Sequence, residues 1–160
     1  MASSSTTSFL INSRVLSELV EDGLLIDIRV TGTTKLEWNR VLEFLHTSDL
    51  TDRTNQTIED QEHLDVSRVF EDASEESLIN LSLKLHGPII LTCNFYCEDE
   101  IEFSIDPRQL SLPTDIDRVL NLMRQLGNLL NKPVGLAPEG KSDTNLILYQ
   151  PALGEFLCDE

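Results

Sequence analysis

The sequence predicts a single α+β domain, with a mainly antiparallel sheet of about five to six strands, two main helices packed on one face and a short N-terminal helix. Several segments have an apolar residue at every second position, as strands with one buried face do. Two longer segments space their apolar residues three and four apart behind helix-capping signals. With 160 residues and 40% hydrophobic content, the chain suffices for one core of ordinary size.

A disordered segment, a short helix and a strand are predicted at the start of the chain. Residues 1–8 are rich in Ser and Thr, and we expect them to be disordered and to precede a domain formed by residues 9–160. Residues 13–22 place their apolar side chains on one helical face, and Gly23 stands where a helix stop is expected. Residues 24–31 alternate between apolar and polar and predict a strand.

A capping box predicts the start of the first main helix. Thr34 and Glu37 are three residues apart, the spacing at which each side chain can bond the backbone of the other. The apolar periodicity continues to about Thr47. We expect Trp38, the only tryptophan, to lie at the rim of the core.

Residues 49–77 are the most acidic part of the chain. Ten acidic and two basic residues give this segment a formal charge of 2 − 10 = −8. A segment of this length without a strong apolar pattern is typical of a solvated, mobile loop. The alternative is a partner-binding acidic arm with residues 64–70 as its apolar anchor.

Three strands in succession are predicted next. Residues 78–86, 89–97 and 100–106 all alternate, and Glu98-Asp99 forms the turn between the last two. The result is an antiparallel meander with one polar face.

The second main helix and two short strands complete the predicted fold. Thr114 opens the helix, Pro133 ends it, and Gly127 lies within its apolar stripe, where close contact with a strand would explain a glycine. Short strands are predicted at residues 134–137 and 145–150, and we expect the apolar residues of the C-terminal tail to dock on the domain.

The charge of the chain restricts its partners. The 28 acidic and 12 basic residues give a formal net charge of −16, which repels nucleic acid and anionic membranes and attracts basic proteins. No apolar run is long enough for a membrane helix. The odd number of cysteines, three, favours a reducing, cytoplasmic location.

Two groups of reactive side chains suggest chemistry but are better explained by structure. Cys93 and Cys97 would share a strand face roughly 13 Å apart, too far for one zinc ion or a disulfide, so we interpret both as core thiols. Glu100 and Glu102 would be about 6.6 Å apart, a spacing that glycosidases use, but no pocket surrounds them in the sequence pattern. The pair therefore indicates surface charge.

One nucleotide-binding motif is matched by letters alone. Residues 135–142 contain the Gly-x-x-x-x-Gly-Lys-Ser pattern of a phosphate-binding loop. That loop needs a helix directly after Lys-Ser, whereas the following residues read as a turn and a strand. We interpret the match as coincidence.

The sequence favours a small acidic soluble protein that neutralises or escorts a basic protein partner, as immunity proteins and secretion chaperones do. We expect it not to be an enzyme, with no catalytic residue, no metal site and no cofactor. The predicted partner-binding acids lie in the Glu98 turn, in the strand after it and in the acidic segment. They are Glu98, Asp99, Glu100, Glu102, Asp106, Glu71, Asp72, Glu75 and Glu76.

Two alternatives remain open at this stage, and the oligomeric state is not predicted. The first is a small ligand-binding domain or enzyme with its pocket between sheet and helix, in which Asn94 or Tyr96 would be buried and His86 would lie at the mouth. The second is a subunit of a larger assembly, with the apolar stripe of the second main helix or the tail as its contact.

Overall fold

A computed structural model describes residues 13–48, 51–52, 81–85, 88–111, 113–140 and 145–158. Within these ranges it confirms the predicted α+β class, with helices and one antiparallel sheet. The helices are α1 (Ser13–Glu21), α2 (Lys35–Thr47) and α3 (Pro113–Leu130), with a 3-10 turn at Pro107–Gln109. The strands are β1 (Ile26–Thr31), β2 (Thr51–Asp52), β3 (Leu81–Leu85), β4 (Ile90–Cys97), β5 (Glu100–Ile105), β6 (Val134–Pro138), β7 (Ile147–Gln150) and β8 (Glu155–Cys158).

The first strand lies in the middle of the sheet. The eight described strands follow the order β2-β3-β4-β5-β1-β6-β7-β8, and each pairs antiparallel with its neighbours. β1 therefore joins the predicted meander β3–β5 to a second meander, β6–β8. The sheet exceeds the expected five to six strands because β2 and β8 extend its two ends. Because β8 belongs to the tail and pairs with β7, the tail docks on the domain as predicted. Of its apolar residues, Phe156 packs on the core, whereas Leu153 and Leu157 are exposed.

α2 and α3 pack on one face of this sheet, here called the inner face. In the register of the central strands, Ile28 lies between Phe103 and Leu136, and all three are fully buried. Trp38 of α2 is also fully buried, with its ring centroid 5.0 Å from that of Phe95 on β4. The expected position of Trp38 at the rim is therefore wrong, because α2 presses its indole directly against the sheet.

The glycine in α3 marks a close approach of the helix to β7, as predicted. A Cβ atom on Gly127 would lie 2.6 Å from Cδ2 of Tyr149. The Tyr149 hydroxyl then donates a hydrogen bond to Oδ1 of Asn128 at 2.8 Å. Gly127 therefore allows the aromatic ring to pass under the helix and reach the next residue.

A β-bulge near the end of β4 changes the direction of Cys97. Asn94 pairs with Glu102, but Cys97 pairs with Glu100, so one extra residue is inserted in β4 between the two pairs. Directly paired residues share a face, and Cys97 therefore lies on the face opposite Cys93. The interpretation of both cysteines as core thiols is wrong for Cys97, which is half-buried, and right for Cys93, which is fully buried.

Several predictions fall on residues that the structure does not describe. They concern residues 1–8, the side chain of Tyr96, His86 and most of the acidic segment 49–77. Of that segment the structure describes only β2, which pairs with β3. The predicted binding acids Glu71, Asp72, Glu75 and Glu76 also lie outside the described residues.

Candidate functional site

Five polar side chains form a closed hydrogen-bonded ring at the centre of the sheet face opposite α2 and α3, here called the outer face. This polar ring comprises Asp27, Arg29, Asn94, Glu102 and Ser104 from β1, β4 and β5. Arg29 Nε donates to Glu102 Oε1 at 2.8 Å, and Arg29 Nη2 donates to Asp27 Oδ2 at 3.1 Å. Ser104 Oγ donates to Asp27 Oδ1 at 2.9 Å. Asn94 Nδ2 donates to Glu102 Oε2 at 2.9 Å and to Ser104 Oγ at 2.6 Å, which closes the ring.

Strand pairing explains why these side chains meet. Arg29 is directly opposite Glu102, which is directly opposite Asn94, and Asp27 is directly opposite Ser104. Side chains of opposite residues in an antiparallel sheet are close neighbours on the same face. The ring is therefore a direct consequence of β1 pairing with β5 rather than with a strand nearer in sequence.

The ring is buried although it faces away from the helices. Asp27 is 3% exposed and Glu102 6%. The prediction that Glu100, Glu102 and Ser104 point to the outer face is confirmed, but Glu102 and Ser104 do not lie open to solvent. Their charges and dipoles are instead satisfied within the ring, as buried polar groups require.

Two titratable groups of the ring, Asp27 and Arg29, have pKa values that their surroundings shift. Burial raises the pKa of Asp27 and the nearby Glu102 charge adds to this, while the hydrogen bond from Ser104 opposes it. Burial alone would lower the pKa of Arg29, but the hydrogen bond and charge of Glu102, with the charge of Asp27, raise it. Arg29 therefore remains a cation, and Asp27 is harder to ionise than an exposed aspartate.

A shallow depression of about 360 Å³ lies over the ring. Its described lining is the polar ring together with Glu100, Glu139 and Gly140. Glu100 Oε1 is 3.6 Å from Arg29 Nε. Among these lining residues the four carboxylates and one guanidinium give a formal charge of 1 − 4 = −3. Such a concave surface concentrates negative potential and attracts cations.

The turn between β4 and β5 lies beside this surface and is anchored to the rest of the chain. Thr33 Oγ1 donates to the Glu98 carbonyl at 2.9 Å, and the Thr33 amide donates to the Asp99 carbonyl at 3.1 Å. The Glu98 and Asp99 side chains are exposed, with Glu98 3.6 Å from Lys35 at the surface. Both predicted binding acids are thus available to solvent on a fixed turn.

Asp106, in contrast, is engaged locally. It follows the last residue of β5, so it lies about 20 Å from the Glu98 turn. Its carboxylate accepts hydrogen bonds from the Arg108 backbone at 3.0 Å and from Arg108 Nη2 at 2.7 Å. The Arg108 hydrogen bond lowers the pKa of Asp106. Asp106 therefore caps the 3-10 turn and lies apart from the Glu98 turn.

Neither described cysteine side chain is activated as a nucleophile. Burial raises the pKa of the Cys93 thiol far above its ordinary value. Burial also raises the pKa of Cys97 to about 11, assisted by its hydrogen bond to Asp99 and by the charges of Asp99 and Glu100. Both remain thiols at neutral pH, where the thiolate would be the reactive form.

The residues that line the depression were only partly anticipated. Glu100 and Glu102 were among the predicted acids, whereas Asp27, Arg29 and Glu139 were not. The alternation in β1 does place Asp27 and Arg29 on the polar side of their strand. No signal in the sequence indicates that β1 pairs with β5 or that the turn after β6 approaches them.

No protein-family model, curated protein or solved structure matches this chain. Within the described ranges, no group of three or more His, Cys, Asp or Glu side chains is arranged to hold a metal ion. The helices in those ranges are too short or too polar to cross a membrane.

Proposed function

We propose that this chain is an acidic binding protein that holds a basic protein partner, neutralising or escorting it in the manner of an immunity protein or a secretion chaperone. The observation that supports this proposal is the depression on the outer face, which is lined by four carboxylates and only one guanidinium. A Lys or Arg side chain of a partner would supply the positive charge that this surface lacks.

The polar ring makes the surface suitable for tight recognition. Its carboxylates are already held in place by Arg29, Asn94 and Ser104, so a bound cation would meet acceptors whose side chains need little further ordering. The exposed Glu98 and Asp99 lie beside them, where their field reaches into solvent and accelerates encounter with a basic protein.

A pocket between sheet and helix is the weaker candidate. The buried side chains of α3 are apolar, including Val119, Leu122 and Met123, apart from Asp115, which forms an ion pair with Arg118 of the same helix at 3.1 Å. Asn94, which could have lined such a pocket, belongs to the polar ring on the outer face. A ligand site needs convergent polar groups, and the described ones converge on the outer face instead.

The experiment compares two charge reversals of equal size. Glu98→Lys with Asp99→Lys changes the exposed turn next to the depression, and Glu21→Lys with Glu43→Lys changes exposed positions on α1 and α2. The probe is an unstructured Lys-Gly repeat peptide, and its dissociation constant is measured by fluorescence anisotropy at low and high salt. We expect roughly tenfold weaker binding for the first pair, little change for the second, and weaker wild-type binding at high salt.

The control pair distinguishes binding at a localised site from attraction by the net charge of the whole chain. Both pairs change the net charge equally, so equal losses of affinity would mean that total charge alone acts. That result, or binding that salt does not weaken, would contradict the proposed function.

A further inference from the structure

One row of paired residues crosses the outer face from β4 to β8, and its side chains change from polar to apolar halfway. Each member is directly opposite the next in the strand register. The row comprises Asn94, Glu102, Arg29, Gly135, Leu148 and Leu157. Its first three members belong to the polar ring, and its last two are leucines. Along this row the outer face therefore carries polar and charged side chains on β4, β5 and β1, and leucines on β7 and β8. The neighbouring outer-face pair on β7 and β8 is Gln150 and Glu155.

The leucine half of the row is open to solvent. Leu157 is 43% exposed and is paired with the half-buried Leu148. The preceding residue, Phe156, points to the inner face, where its ring centroid lies 4.9 Å from that of Tyr149. Because Phe156 already attaches β8 to the core, the outward leucine adds apolar surface that the fold does not bury.

Gly135 lies between the polar half and the leucine half of the row and has no side chain of its own. A Cβ atom on Gly135 would lie 3.0 Å from Cγ of Asn145, whose side chain occupies that space. The polar surface therefore continues from Arg29 over the amide of Asn145 to the leucines.

We infer that the outer face docks an amphipathic basic helix of the protein partner, with a Lys or Arg over the depression and apolar side chains against Leu148 and Leu157. The inference rests on the proposed function and specifies the shape of the partner. A net charge of −16 disfavours a second copy of this chain as the occupant, whereas the formal charge of the depression complements a basic segment.

The strand spacing determines how the helix must be patterned. Arg29 and Leu148 are two strands apart, which corresponds to about 9.6 Å. Two turns of an α-helix, or seven residues, span about 10.5 Å. A matching helix therefore carries its cations and its first apolar anchor about seven residues apart on the same face.

The test uses two synthetic helical peptides of identical composition. In the same-face peptide, leucines lie two turns from a pair of lysines on one face, and in the rearranged peptide the leucines lie on the opposite face. Fluorescence anisotropy with the full chain should show roughly tenfold tighter binding of the same-face peptide, the gain expected from burying part of two leucines.

Two matched substitutions test whether the leucines of the row cause the preference for the same-face peptide. Leu157→Gln removes the exposed leucine of the outer face, and Leu36→Gln removes one that is 70% exposed on α2. L157Q should abolish the tenfold preference while leaving the affinity for the Lys-Gly peptide unchanged, and L36Q should retain both. If L157Q loses the circular dichroism spectrum of the wild type, Leu148→Gln replaces it with the same expectation.

The remaining outcomes would count against this inference or against the proposed function. Equal binding of both helical peptides to the wild type, or equal effects of L157Q and L36Q, would overturn this inference and leave the proposed function standing. A wild-type dimer that L157Q converts to a monomer, measured by light scattering, would also overturn it, because the leucines would then serve self-association. Failure of every basic peptide to bind would remove the proposed function as well.

Discussion

Replacing Glu102 by Gln should lower the free energy of unfolding by about 1–3 kcal/mol, the usual cost of leaving a buried polar group without its partner. Glu102 is 6% exposed and uses both carboxylate oxygens, one for Arg29 and one for Asn94. Both partners donate. Gln has only one side-chain oxygen, so its NH2 group must face the donor of either Arg29 or Asn94.

The same substitution at Glu100 provides the control. Glu100 is on the same strand face, but its side chain is 33% exposed and its closest oxygen is 3.6 Å from Arg29. Glu100→Gln should therefore cost less than about 1 kcal/mol, as expected for a partly solvated ion pair. Both variants remove one negative charge, so their effects on net repulsion are equal. The difference between them reports the hydrogen-bonded ring.

Urea unfolding at neutral pH, followed by circular dichroism, measures both costs. E102Q should lose clearly more stability than E100Q, with an unchanged dependence of the free energy of unfolding on urea concentration. If the two variants were equally stable, the ring would contribute nothing as a unit, and its carboxylates would not be held in place for a partner.

Three further predictions concern stability. Gly127→Ala should destabilise the fold by about 1–3 kcal/mol in urea unfolding despite the better helix propensity of alanine, because the new Cβ would crowd Tyr149; a gain in stability would contradict the close packing. Asn131 has a φ of 53°, a conformation that glycine adopts with less strain. Asn131→Gly should therefore raise the free energy of unfolding by about 0.5 kcal/mol and the melting temperature slightly. A lower melting temperature would argue against a strained helix end. Because burial raises the pKa of Asp27, the folded chain takes up a proton at higher pH than the unfolded chain does. The free energy of unfolding should therefore gain from this group as the pH falls toward the ordinary Asp value of 3.8. Asp27→Asn should lack that gain, and an identical pH profile for wild type and variant would refute it.

Local signals predicted the described elements well because each signal acts through neighbouring residues. The hydroxyl of Thr34 accepts a hydrogen bond from the Glu37 amide at 3.2 Å, as the capping box required. Gly23 follows α1 with a φ of 67°, a conformation that glycine adopts without strain. Gly127 leaves room for the ring of Tyr149 on β7, as its place in an apolar stripe suggested.

The candidate site was harder to predict because it depends on pairing between distant segments. Arg29 and Glu102 are 73 residues apart in the chain, and alternation in each strand indicates a face but not a neighbour. The buried Glu102 and the half-buried Glu100 have the same pattern in the sequence. The bulge in β4 was also invisible, since strict alternation after Cys93 places Cys97 on the wrong side.

We propose that the outer face, rather than the total charge of the chain, recognises a basic partner. A titration of the isotopically labelled full chain with the same-face peptide, followed by amide NMR shifts, locates the binding surface. The shift changes should concentrate at residues 27–31, 94–104 and 148–157. Changes concentrated on α1 and α2, or spread evenly over the exposed acids, would contradict the claim.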